Sequence, residues 1–134
     1  MIDIETEVYD AVAGKLKEQF PKIYTTGEYV KAPPRFPCVS LIMMSNAALA
    51  RTQTSSCMEN HAQVMFEANI YSNRANTKKT ECKEIAGALD EAMLGLGFTR
   101  TMLTPIPNMD DATIYRITGR YQAVASKDNV IYRR

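Results

Sequence analysis

Between residues 61 and 71 the chain reads HAQVMFEANIY, and apolar and polar positions alternate along it. Ala62, Val64, Phe66, Ala68 and Ile70 fall on one side; His61, Gln63, Met65, Glu67, Asn69 and Tyr71 fall on the other. A period of two is the signature of a strand with one apolar face. The polar run SNRAN breaks the rhythm, and from Thr77 the residues Cys82, Ile85, Ala86, Leu89, Met93 and Leu96 recur at helical spacing. Gly95 and Gly97 supply a left-handed helix end, with Phe98 packing back. Residues 61–98 thus predict a long strand, a short turn and one amphipathic helix, and the rest of the chain is read around them.

Upstream, Ile4, Val8, Ala11, Val12 and Leu16 form one stripe of a first helix. Asp3 is its expected N-cap, Glu5 and Glu7 suit the positive end of its dipole, and Pro21 stops it. Residues 23–30, IYTTGEYV, are rich in strand formers, with Gly27 as a bend or bulge. Pro33, Pro34 and Pro37 then exclude a helix or a central strand and leave a stiff extended connector. It feeds CVSLIMMS at 38–45, apolar on both faces and so expected to be central in a sheet. Residues 46–60 are weakly patterned, either the tip of a hairpin or a continuation of its strands.

Downstream, residues 99–104 predict a strand, and PIPNMDD predicts a turn. Residues 113–125 predict a second long strand, with Tyr115, Ile117, Gly119, Tyr121 and Ala123 on one face. Ile114, Arg116, Thr118, Arg120 and Gln122 lie on the other, and VIYRR closes the chain as a short strand. The order α-β-β-β-α-β-β predicts an α+β fold. It is a two-layer sandwich with an antiparallel or mixed sheet of four to five strands and both helices on one face. Energetics require that docking. Six buried side chains return roughly 1.5–3 kcal/mol each to the second helix, whereas ordering each of its residues costs about 1–2 kcal/mol.

A length of 134 residues suits a single domain over 1–134. A net charge of +1 argues against a broad electrostatic grip on nucleic acid or membrane. No apolar run is long enough to span a membrane. The acidic N-terminus lacks the form of a secretory signal, so the chain is expected to be made and kept in a cytoplasm. Three cysteines, Cys38, Cys57 and Cys82, are odd in number and widely spaced, which predicts free thiols.

No catalytic or cofactor signature emerges. His61 is the sole histidine, so one chain can build neither a histidine relay nor a two-histidine metal site. Cys57 and His61 resemble half a zinc site without its second half. The carboxylate pairs Asp90-Glu91 and Asp110-Asp111 are neighbours on a helix face and a turn, where solvation is the ordinary outcome. The Gly95-x-Gly97 pair sits at the wrong end of a helix to cradle a phosphate. No catalytic residue, cofactor or metal is expected.

The polar face of the two long strands carries more information. Glu67, Asn69, Arg116, Thr118, Arg120 and Gln122 lie opposite the helix-covered face, with Met65, Ile114 and Tyr71 among them. Solvation is the plain explanation. Arginine, tyrosine and methionine among polar groups is also what subunit interfaces favour, and long strand edges are hazardous for a free monomer. The candidate oligomer or partner interface is Met65, Glu67, Tyr71, Arg116 and Arg120, extended by Arg51 in the long loop and by the terminal Arg133.

The segments ANIYSN, LGLGF, PIPNMDDATIYRITGRYQAVA and IYRR, with the opening helix and the PPRFPCVSL entry into a strand, together resemble a known family. They are similar to small tail terminators of long-tailed bacteriophages and prophages, also called tail-completion, tail-to-head joining or minor tail proteins. The resemblance covers most of the chain and implies the same α+β sandwich. It implies a structural, non-catalytic virion protein that forms a ring, commonly a hexamer. Such a ring caps the tail tube, ends its polymerisation and offers a surface for head joining. Its implied partners are further copies of itself, the major tail tube protein and a head-completion or connector protein. DNA would pass through the lumen without specific binding, and no membrane is involved. The implied location is the tail or neck of the virion, after synthesis in the bacterial host cytoplasm. A ring requires a head-to-tail contact that closes; the sheet edges and the first helix are the candidate patches, with the loop around Arg51 lining the lumen or reaching the tube. The alternatives are a head-completion or connector-adaptor protein, and a small ligand- or nucleic-acid-binding α+β module.

Overall fold

A computed structural model describes residues 1–48, 61–107, 111–128 and 130–132. Its elements are α1 (Glu5–Gln19), β1 (Tyr24–Thr26), β2 (Cys38–Ala48), β3 (His61–Ser72), α2 (Lys78–Gly95), β4 (Thr99–Pro105), β5 (Tyr115–Ser126) and β6 (Ile131–Tyr132). The sheet order is β1-β2-β3-β5-β4, with β6 pairing on β5. Only β1 and β2 run parallel; the other pairs are antiparallel, so the sheet is mixed. This is the expected two-layer α+β sandwich, with both helices on one face.

The alternating residues of β3 explain the core. Ala62, Val64, Phe66, Ala68 and Ile70 are all fully buried, and from α2 so are Cys82, Ile85, Leu89 and Met93. Phe66 and Phe98 meet edge to face at 5.4 Å between ring centroids, a geometry that suits the aromatic quadrupole. Phe98 reaches that position through the end of α2. Its amide donates to Met93 O at 3.1 Å, the Gly97 amide donates to Leu94 O at 3.0 Å, and Gly97 has φ +102°. These two bonds define a Schellman cap that needs the left-handed residue at Gly97, whereas Gly95 remains helical.

Other local expectations shift. α1 begins at Glu5, with Ile4 at the cap position, and Asp3 Oδ1 instead accepts the Glu5 amide at 3.0 Å. Ala13 rather than Ala11 completes the buried stripe. β1 stops at Thr26, so Gly27 ends the strand instead of bending it. β2 runs past residue 45 to Ala48, through a register shift between Met43 and Ser45. Beyond the end of β1 the N-terminal segment serves β2: Glu5 Oε2 accepts the Met43 amide at 3.2 Å, and Asn46 Nδ2 donates to Ile2 O at 2.6 Å.

Three side chains fasten α2 to the far strands. Tyr121, fully buried, donates its hydroxyl to Asp90 Oδ1 at 2.8 Å, and Arg100 pairs with the same oxygen at 3.2 Å. The parallel pairing of β1 and β2 requires residues 27–37 to return along the sheet. Residues 28–30 do so against the face away from the helices, where the candidate residues lie, and Arg35 and Phe36 come back beside the residues that follow α1.

Candidate subunit interface on the outer sheet face

Register alone brings the polar residues of β3 and β5 together. Tyr71 stands opposite Arg116, Asn69 opposite Thr118, Glu67 opposite Arg120 and Met65 opposite Gln122. On the other side of β3, Ser40 faces Asn69 and Ile42 faces Glu67. Directly opposed side chains on one face are close enough to bond.

Asn69 is the hub of the resulting network. Its Oδ1 accepts from Arg116 Nε at 3.1 Å, from Arg116 Nη2 at 2.7 Å and from Thr118 Oγ1 at 2.7 Å. Its Nδ2 donates to Glu67 Oε1 at 3.0 Å, and the other Glu67 oxygen takes Arg120 Nε at 3.2 Å. The Arg116 guanidinium also lies 5.5 Å from the centroid of the Tyr71 ring, within cation–π range. Burial pushes the Tyr71 hydroxyl pKa up, partly offset by the Arg116 charge.

Contrary to plain solvation of this face, Glu67, Asn69, Tyr71 and Thr118 are buried. Two things cover them. The arginine stems lie across the centre, and the connector after β1 lies along one side: Glu28 O accepts Ser40 Oγ at 2.9 Å, and Val30 O accepts the Tyr71 hydroxyl at 3.3 Å. A buried carboxylate is tolerable only when paired and hydrogen-bonded, and Glu67 is both. Its side chain is 7% exposed against 43% for Arg120, so the pair presents its positive partner outward.

Five predicted residues, Met65, Glu67, Tyr71, Arg116 and Arg120, therefore share one surface. Arg51 and Arg133 lie outside the described residues, as does most of the 46–60 loop. Ile42, Met65 and Met102 are half-buried around the arginines, with Met102 opposite Arg120 on β4. An open groove of 330 Å³ continues the surface past Arg116, lined by Pro105, Ile106, Pro107, Ala112 and Ile114. Sequence reasoning placed Asn69 on the right face and missed its central role, because an asparagine in a polar stripe carries no sign of how many partners it serves.

Cys38 and Cys82 are fully buried. Burial raises the Cys38 thiol to about 11. Burial, with the nearby Glu81 charge, raises Cys82 to about 12. Cys82 Sγ donates to Tyr115 O at 3.4 Å, as a protonated thiol does. Neither is a nucleophile near neutral pH. Among the described residues no three His, Cys, Asp or Glu side chains are placed to hold a metal ion, and no helix is long and apolar enough to cross a membrane. No protein-family model matches the chain, and no curated protein matches it.

Proposed function

We propose that this chain is the subunit of a ring that completes a bacteriophage tail, capping the tail tube, ending its polymerisation and presenting a surface for head joining. The sequence resemblance supplies the class. The observation that best supports it is the outer sheet face. A buried, hydrogen-bonded centre (Glu67, Asn69, Thr118) holds Arg116 and Arg120 at fixed places within a fringe of Ile42, Met65 and Met102. An apolar fringe with aligned arginines suits a surface that another protein covers. The network fixes arginine rotamers before contact, which lowers the ordering cost of association. A closed ring also needs two different patches per subunit that complement each other.

Light scattering of the purified protein, alone and with tail tubes, tests this. The expected result is a closed oligomer of about six subunits, formed either free or on the tube end. A monomer indifferent to tubes would refute the proposal. Binding to a neck connector, with no affinity for tube ends, would move the protein to the head-completion class.

A further inference from the structure

The helix layer carries a charge asymmetry that folding does not need. α1 and α2 pack antiparallel: the residues after α1 (Phe20, Pro21, Lys22) line one hollow with Arg74 and Glu81 at the start of α2. Arg35 joins Lys22 in the adjoining hollow. At this end Lys17, Lys22, Arg35, Arg74 and Lys79 are exposed; Glu81, half-buried, neutralises Arg74, Glu18 is an exposed acid nearby, and Lys83 and Glu84 are exposed side by side in the second turn of α2. At the other end Asp3, Glu7, Asp10 and Glu91 are exposed, with Arg100 there already paired to Asp90.

In α1 this order follows the helix dipole, acidic residues first and Lys17 in the last turn. In α2 it runs against the dipole. Lys78 and Lys79 open the helix, with Glu81 the one acid in its first turn; Asp90 and Glu91 fall toward its end, and no basic residue occupies the last turn. Lys78 has a local purpose, donating to Ala112 O and Thr113 O at 3.3 and 3.2 Å. Lys79, Lys83 and Glu91 are exposed, and helix stability gives no reason for their order. Because the helices are antiparallel, the favourable order of α1 and the unfavourable order of α2 add to one polarity. The 15 residues of α1 extend about 22 Å, more than twice the ~8 Å over which physiological salt screens charge. The two ends therefore act as separate patches of opposite sign.

We infer that copies of this protein join head to tail through the helix layer, the basic end of one copy (Lys22, Arg35, Lys79) meeting the acidic end of the next (Glu7, Asp10, Glu91). The occupant of each end is a second copy of this chain, because each end complements the other on the same molecule. This rests on the ring reading above and names the contact that would close it.

Two charge-reversal variants test it. Lys22→Glu/Arg35→Glu/Lys79→Glu makes both ends acidic; Glu7→Lys/Asp10→Lys/Glu91→Lys makes both ends basic. All six positions are exposed, and circular dichroism of each variant checks that it folds. Each variant alone should need a concentration higher by on the order of a hundredfold to assemble. An equimolar mixture should restore assembly into alternating rings of wild-type size, because every contact is again between opposite charges. Wild-type assembly should also weaken with added salt. If the wild type assembles and neither reversal affects it, the inference falls while the ring reading stands. Loss in each variant without rescue on mixing, or rescue that stops at dimers, also overturns it. A wild type that stays monomeric with and without tubes removes the ring reading and this contact together.

Discussion

Asn69→Ala should be among the most damaging single changes on the outer face. Asn69 is 1% exposed and satisfies four hydrogen bonds. Truncation strands the Thr118 hydroxyl, itself 2% exposed, and an unsatisfied buried group costs about 1–3 kcal/mol. It also removes a donor from the buried Glu67 carboxylate, where a bond to a charged group is worth about 1.5–3 kcal/mol. Arg116 is half-buried and can turn to water, so its two lost bonds add less. A destabilisation of about 3 kcal/mol follows, read as a lower urea midpoint at unchanged slope. Asn69→Asp sharpens the test, because it keeps the shape and puts a second carboxylate oxygen against Glu67 Oε1. Asn69→Asp should therefore also lower the urea midpoint, because loss of the Nδ2 donor leaves two acceptors face to face. A loss below about 0.5 kcal/mol for Asn69→Ala would refute the claim that the network organises this face.

Arg120→Glu sets a carboxylate opposite Glu67 and should impair assembly by light scattering while the subunit stays folded; unchanged assembly would return the face to ordinary solvent exposure. Tyr121→Phe deletes the bond to Asp90 and should cost about 1 kcal/mol in denaturant, with no measurable loss refuting the fastening role given to it. The buried thiols set an alkaline limit. Unfolded cysteines ionise near 9.0, the folded ones at about 11 and about 12. Between those values the unfolded chain binds fewer protons, so stability is full below pH 9 and falls as pH rises, at up to about 1.4 kcal/mol per pH unit for each thiol. Denaturant titrations across that window check the slope, and Cys38 and Cys82 should resist a thiol reagent in the native protein at neutral pH.

Residues 61–98 were legible because each element there follows one strong period and ends in unambiguous turn chemistry. The outer face was legible as a face, since the parity of β3 and β5 fixes which side chains share it. Its burial was not. A polar stripe reads as solvated until something is known to lie over it, and here the cover is the connector after β1, held by Ser40 and Tyr71 through contacts distant in sequence. The parallel pairing of β1 was equally hidden, because composition gives strand propensity and not partner or direction. The charge polarity of the helix layer needed the antiparallel packing of α1 and α2, without which Lys79 and Glu91 look like ordinary solvated positions.

The proposed role of this chain is to end a tail tube. Electron microscopy of tail tubes polymerised with and without the protein addresses it most directly. The expected result is a ring seated on one end of each tube and a sharp cap on further growth. Tubes that grow unchanged in its presence, with no density at their ends, would contradict it.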